Sequence, residues 1–442
     1  MNITVTAGDI ADDMQAATLT IPAADVDAAV KKAYKDVAAK YNFQGFRRGH
    51  TPRPVIDSIV GREGVLAQAT NDLMEAAEPH MFEQLDIVPM GEVDYGEDNP
   101  VVKEGADYTI EVKVPVRPTA TLSSYDAPAI EMPPAEATEA EIDQQIEQLL
   151  SFRTTYEDIE EDRATQEGDF LMVDIENVEN CEQLESKGRM LSLKKGDAPD
   201  QIVEGLVGAA KGETKEIAWD ETHEHGDHTH ETHLAMKVTV NAIRKAVVPE
   251  VTEDNVKTDY GFDSVEAMRD AVKLEIEKEK ENQLPELKEE RALNAMAERL
   301  ELEEVPEAYV NSVFNETAQQ IMGQLSRQGQ SLDQFLAMRG ITADQFIADL
   351  REQSEERARQ SMALDAVVAQ QGIEATDEDI RAEFERAGSE DVDKSIADFR
   401  DAGQLPAVRD SIKRNKALTW MTDNAEVTIV DEIAKRRETD AE

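Results

Sequence analysis

The sequence predicts a multidomain α+β protein, with an amino-terminal α+β domain, a β-rich middle domain and a helical carboxy-terminal region. Three observations predict it. At 442 residues the chain is too long for one hydrophobic core, and about 100 to 200 residues per domain suggests about three domains. With 40% hydrophobic, 32% charged and only 5% aromatic residues, it favours long solvated helices with narrow apolar stripes over a compact, aromatic-rich enzyme. The apolar pattern also changes along the chain, from mixed helix and strand, to short strands with glycine turns, to helix throughout.

Short strands open the chain. Residues 25–39 then place Val26, Val30, Tyr34 and Val37 on one helical face, and residues 52–61 and 62–85 read as two further helices. In residues 107–116, Tyr108, Ile110, Val112 and Val114 alternate with Thr109, Glu111 and Lys113, the pattern of a half-buried strand. Helices packed on one face of a small antiparallel sheet give an α+β domain over residues 1–118. The proline-spaced stretch 126–134 is extended, because a residue before proline is held out of the helical region. Thr138 and Glu141 form a capping box ahead of Ile142, Ile146, Leu149 and Leu150, so residues 119–161 comprise a linker and a linker helix. Residues 162–246 hold strand-like segments at 169–178, 190–193, 214–219 and 234–242. Residues 247–442 are helical, with stripes such as Tyr309, Val313, Ile321 and Leu325, broken by Thr317, and later Phe346, Leu350, Met362 and Val367. Pro285 is expected to kink or divide the helix over 264–299.

Charge sets one segment apart. The net charge is -49, yet between Val30 and Val55 seven basic residues (Lys31, Lys32, Lys35, Lys40, Arg47, Arg48 and Arg53) face one acid, Asp36, giving +6 locally and -55 for the remainder. Screening limits electrostatic attraction to about 8 Å at physiological salt, so such an island docks on phosphate or acidic protein whatever the total charge. Elsewhere the carboxylates repel nucleic acid and keep the chain in solution. The lone Cys181 excludes an internal disulfide, which suits a reducing compartment. No signal peptide and no run of about 18 apolar residues is read, so the expected location is cytoplasmic with no membrane partner.

Within the island, Gly45-Phe46-Arg47-Arg48-Gly49-His50-Thr51-Pro52 joins turn-forming glycines and a proline to an aromatic beside paired arginines. This segment resembles the GFRxGxxP motif by which the bacterial trigger factor family, chaperones of nascent chains, holds the ribosome near its exit tunnel. The resemblance covers essentially the whole chain. It implies that Gly45, Phe46, Arg47, Arg48, Gly49 and Pro52 bind the ribosome through ribosomal protein and rRNA. His50 stands where lysine is common, replacing a fixed charge with a titrating one. The family fold implied is an N-terminal α+β ribosome-binding domain, an inserted β-rich FKBP-like domain, and a discontinuous all-α C-terminal body whose arms cradle unfolded polypeptide.

Residues 162–246 resemble the FKBP-type peptidyl-prolyl isomerase module, most clearly over 202–213. That family lowers the barrier to proline isomerisation by gripping the ring in an aromatic cage. Here Ile175, Leu184 and Ile202 fall at positions where the family has aromatic or apolar lining, so weak isomerase activity is expected and no catalytic residue is assigned. Phe170, Leu191 and Trp219 are further apolar candidates. Five of the seven histidines, His223, His225, His228, His230 and His233, lie in one segment interleaved with acids. Imidazoles suit zinc or nickel, and an extended hairpin would bring alternate histidines together, but no fixed zinc-motif spacing is present. No cofactor is expected to be required, and Zn or Ni at this loop would be adventitious.

Nucleophile-elbow, Walker A and GxGxxG motifs are absent, so ATP independence is expected. Three functions compete. The first is a ribosome-associated chaperone that keeps nascent polypeptides open for folding or export, with isomerisation secondary and methionines such as Met322, Met338 and Met362 giving adaptable contacts. The second is mainly a prolyl isomerase. The third is a SurA-like export chaperone, which would need a signal peptide. A homodimer away from the ribosome is compatible with the first.

Overall fold

The computed structural model describes the chain apart from residues 97–99, 162, 226–227, 303 and 441–442 and the side chains of residues 221–231 and 440. It forms two compact units, Met1–Glu131 with Glu286–Thr428, and Met132–Pro285 with Ile429–Glu442.

The chain begins with a hairpin of β1 (Thr4–Ala11) and β2 (Met14–Ile21), turned by Asp12 and Asp13 at φ 50 and 56. Positive φ at both central residues matches the strand twist, and aspartate tolerates it better than most residues. Three helices follow, α1 (Ala23–Lys40), α2 (Arg53–Ile59) and α3 (Arg62–Leu85), and then β3 (Tyr108–Pro115), which pairs antiparallel with β2. Both β2 and β3 bury every second residue. Register sets Leu19 opposite Ile110 and Ile21 opposite Tyr108, so one sheet face meets Val26 and Val30 of α1 and Leu73 and Met81 of α3 in a single core. The α+β domain read from the sequence is present.

Beyond it, β4 (Ala129–Met132) lies in the proline-spaced stretch and pairs with the late strand β10 (Glu426–Ile429). The linker helix α4 (Glu139–Ser151) opens with the expected capping box, Glu141 N–H donating to Thr138 Oγ1 at 3.3 Å and Thr138 N–H to Glu141 Oε2 at 2.8 Å. A five-stranded sheet is built from β5 (Thr155–Asp158), β6 (Phe170–Glu179), β7 (Ser186–Ser192), β8 (Thr214–His225) and β9 (His228–Val247), in the order β5-β9-β6-β7 with β8 also on β9. Helix α5 (Asp200–Leu206) places Ile202 and Leu206 in the core of this sheet with Leu171, Val173, Met236 and Val238. Then α6 (Glu253–Asp259) and the amino-terminal half of α7 (Val265–Ala297) enclose Ile142, Ile146 and Leu150 of α4. Lys280 is buried against the linker, donating to the Pro134 and Glu136 carbonyls and to Glu141 Oε2 at 2.9, 3.2 and 2.6 Å. Helix α7 runs unbroken through Pro285, and the two compact units divide at that residue.

The remaining helices are α8 (Glu307–Arg327), α9 (Leu332–Arg339), α10 (Ala343–Gln371), α11 (Asp377–Arg386), α12 (Val392–Asp401), α13 (Leu405–Asn424) and, after β10, α14 (Glu432–Asp440). Thr342 and Thr376 cap their helices with capping boxes, and left-handed Gly340 and Gly372 end α9 and α10. Tyr309, Met362, Val367 and Met421 form the core where α8, α10 and α13 meet. The amino-terminal domain is joined to these helices within the first unit by charge. Arg409 donates to Glu83 at 3.0 Å and Asp86 at 2.5 Å, Lys413 to Asp86 at 3.0 Å, and Arg117 to Asp410 at 2.5 Å. Arg414 forks onto Asp365 with two 2.7 Å bonds.

Candidate functional site

The basic segment is held by the carboxy-terminal end of α1. A helix leaves its last carbonyls without intrahelical partners, and here the loop that follows turns back to supply them. Gly49 N–H donates to the Ala38 carbonyl at 2.8 Å, and Arg48 Nε donates to the Ala39 carbonyl. A guanidinium at that end also faces the negative pole of the helix, an interaction worth about 0.3–1 kcal/mol when exposed. Two turns shape the tip, Phe46 N–H to the Phe43 carbonyl at 3.1 Å and His50 N–H to the Arg47 carbonyl at 2.9 Å. Gly45 and Gly49 adopt φ +89 and +81, where a side chain would strain the backbone. Phe43 is buried in the domain core and pins the loop, and Pro52 starts α2.

What remains outward is Phe46, 41% exposed, with Arg47 and His50 beside it in sequence. Arg47 has no partner among the described residues. Arg53 is already engaged, its guanidinium 4.5 Å from the Tyr34 ring and 2.7 Å from Glu104. Tyr34 in turn donates to Asp57 at 2.5 Å, and burial followed by that hydrogen bond pushes its hydroxyl up to about 12. The loop thus separates into braces (Phe43, Arg48, Gly49, Pro52) and free contact groups (Phe46, Arg47). The sequence alone did not distinguish Arg47 from Arg48. An arginine placed eight residues after the last helical turn gives no sign of the carbonyl it reaches.

The middle sheet treats its candidates differently. Ile175 and Ile202 are buried in the core, and Leu184 packs half-buried against them. Phe170 points to the opposite face of β6, where its ring lies 4.8 Å from that of Tyr156. It therefore does not line the core side, while Leu191 and Trp219 pack partly against it. No phenylalanine or tyrosine belongs to the buried cluster among the described residues. Backbone register sets His223 opposite His230 and His225 opposite His228, but their side chains lie outside the described residues. His233 hydrogen-bonds Asp220 at 2.6 Å, which raises its pKa. Among the described residues no group of three or more His, Cys, Asp or Glu side chains could hold a metal.

A third surface lies where α8, α9 and α10 meet. A cavity of about 540 Å³ is lined by Ile321, Leu325, Phe335, Met338, Phe346 and Leu350 with glutamines at its edge. Phe335 and Phe346 meet edge-on at 6.0 Å, and Met338 is 77% exposed. Of the three methionines read as contacts, Met322 and Met338 are exposed, whereas Met362 belongs to the core. One face of α10 packs against α8, and Met362 falls on it.

The architecture and these surfaces define a modular α+β protein with a braced basic tip, a β-rich module whose buried cluster is aliphatic among the described residues with Trp219 packed against it, and an open apolar helical groove. Residues 1–149 match the family model for bacterial trigger factor protein, and residues 264–423 match the model for the carboxy-terminus of bacterial trigger factor protein. The chain belongs to the bacterial trigger factor family of chaperones. It is 29% identical over 424 residues to the trigger factor of Lysinibacillus sphaericus, covering 93% of this chain and 96% of that protein. The trigger factor of Corynebacterium aurimucosum is 26% identical over 437 residues, covering 96% of this chain and 93% of that protein. A solved structure described as the trigger factor chaperone, in a study of promiscuous substrate recognition in folding and assembly, covers 95% of this chain and 99% of its own at 18% identity and a TM-score of 0.37.

Proposed function

We propose that this protein is an ATP-independent cytoplasmic chaperone that docks on the ribosome near the exit tunnel through Phe46 and Arg47 and receives unfolded nascent polypeptide on the groove of α8, α9 and α10. The observation that carries the reading is the tip itself, an exposed aromatic beside an unpartnered arginine on a loop braced by Arg48 and Gly49. Aromatic and arginine side chains make typical interface anchors, and a prebraced loop loses little entropy on docking. The groove supports the client half. Its flexible methionine and edge-on phenylalanines suit varied apolar segments, and its mouth is open. Prolyl isomerisation is the minor activity, because the buried cluster that holds Ile175 and Ile202 contains no phenylalanine or tyrosine among the described residues to cage a proline ring.

A photo-crosslinking amino acid tests both halves. At residue 46 it should capture ribosomal protein or rRNA on translating ribosomes, and at residue 338 it should capture the nascent chain. Capture of nascent chain at both sites, with no ribosomal product at residue 46, would contradict the docking assignment.

A further inference from the structure

We infer that the outer edge of β7 is a docking strand for acidic, extended segments of unfolded polypeptide, a client surface separate from the helical groove. The inference rests on the chaperone reading above. Strand β7 ends the sheet. It pairs with β6 in regular register over Arg189–Ser192, opposite Val173 to Phe170, then shifts register at a bulge that sets Ser186 opposite Ile175, and among the described residues no strand pairs with its other side. A free edge presents unpaired N–H and C=O groups at the spacing another strand requires.

The charge of this edge runs against that of the protein. From Ser186 to Gly196 there are four basic residues, Lys187, Arg189, Lys194 and Lys195, and no acid, in a chain of net charge -49. All four are exposed. Arg189 and Lys195 have no ion-pair partner among the described residues, and Lys194 lies 5.8 Å from the Phe170 ring. The nearby carboxylate, Asp174, already accepts the Gly188 N–H at 2.7 Å, and that bond, followed by one from Asn241 and then the charge of Lys187, lowers its pKa. Glu185 and Asp197 bracket the basic run from outside.

Alternation along β7 sorts its side chains. Arg189 and Leu191 lie on the face shared with the core, whereas Met190, 37% exposed, lies on the other face opposite Met172; a bulge at left-handed Gly188 shifts the register, so that Ser186 is opposite Ile175 and Lys187 sits in the bulge. An added strand would therefore find Arg189 on one row and Met190 on the next, with Lys187 at the bulge and Lys194 and Lys195 past the strand end, which suits an extended segment carrying both acidic and apolar residues. Lysines on an edge discourage pairing with another basic edge, and by the same charge they favour an acidic one. Acidic segments are repelled by most of this molecule, so this basic edge gives them a place to bind apart from the basic segment of residues 30–55, and the edge variant separates the two.

The test uses the full-length chain and three fluorescein-labelled probes, namely a 12-residue peptide alternating Glu with Val and Thr, the same peptide with Lys for Glu, and a 12-nucleotide single-stranded RNA. Anisotropy titrations should show the acidic peptide binding the unsubstituted protein, with on the order of tenfold weaker binding for Arg189→Glu combined with Lys195→Glu. Both side chains are exposed and unpaired, so the fold is expected to persist, and amide exchange gives a second readout in which the acidic peptide protects residues 186–192. Equal affinity for protein and variant, protection elsewhere, or RNA binding more tightly than the acidic peptide would overturn the inference. Suppression of aggregation of a denatured basic client separates the two readings. Its loss from the unsubstituted protein would remove the chaperone reading, while its retention in a variant that still binds the acidic peptide would remove only the edge.

Discussion

Replacing Gly403 by alanine should loosen the amino-terminal domain from the helices it packs on. Gly403 follows α12 at φ +66, and a Cβ there would lie 2.6 Å from Pro79 Cα, 2.8 Å from the Pro79 carbonyl oxygen and 2.9 Å from its Cβ. Carbon atoms in ordinary contact sit about 3.5–4.0 Å apart. Two of those three atoms are backbone inside α3, so no rotamer change relieves the clash. Overpacking of this kind costs about 1–3 kcal/mol, and a left-handed backbone in a non-glycine residue about 1–2 kcal/mol, which together reach about 2–5 kcal/mol. The ion pairs at this junction, Arg409 and Lys413 on Glu83 and Asp86, are partly exposed and contribute under about 1 kcal/mol each, too little to hold the junction closed against the clash. Hydrogen exchange should therefore quicken at residues 78–85 and 400–404 in Gly403→Ala, while circular dichroism stays unchanged because each core is intact. Exchange and thermal midpoint identical to the parent would refute the packing argument.

Arg48→Ala should weaken ribosome binding through loop shape, with faster exchange at Gly49, whereas Arg47→Ala should weaken binding with the exchange of the loop unaltered; equal exchange in both variants would erase the distinction between brace and contact. Zinc or nickel uptake by the histidine-rich hairpin, followed by calorimetry, should be reversible by chelator and fade below about pH 6.5, where imidazoles protonate. His233 has a raised pKa, chiefly through its hydrogen bond to Asp220, so its share of the uptake should require higher pH than an ordinary imidazole, and Asp220→Asn should move that share to lower pH. No uptake above about pH 7 would dismiss the hairpin as a metal site. In a proline-limited refolding assay the full chain should accelerate folding poorly, and rapid catalysis would show that a cage forms outside the core containing Ile175 and Ile202.

The sequence was most legible where burial imposes a period. The alternation in β3 and the apolar face of α1 were readable because each buries one side against the same core, and the capping box at Thr138 was readable because its two partners lie three residues apart. Strand β4 buries Ile130 and Met132 alternately but is only four residues long, and β10 is exposed throughout, so neither carried a readable signal. Their pairing uses backbone groups, as in Glu426 N–H to the Pro128 carbonyl at 2.8 Å, and the two strands lie almost 300 residues apart in the chain. The hairpin of β8 and β9 extends through the histidine-rich segment for a similar reason, since cross-strand register continues whether or not the side chains are apolar. At the basic tip the residue types were legible and their division of labour was not. That Arg48 faces the Ala39 carbonyl and Phe43 the core depends on how the loop folds back, which no spacing specifies.

Docking on the ribosome is the central claim, and cosedimentation with purified ribosomes across a salt series measures it most directly. The parent protein should pellet with ribosomes at low salt and release as salt rises with a shallow dependence, because few phosphates are engaged. Phe46→Ala combined with Arg47→Ala should stay in the supernatant at every salt concentration while its circular dichroism and its suppression of client aggregation match the parent. Undiminished pelleting of that double variant would contradict the assignment of the loop as the ribosome contact.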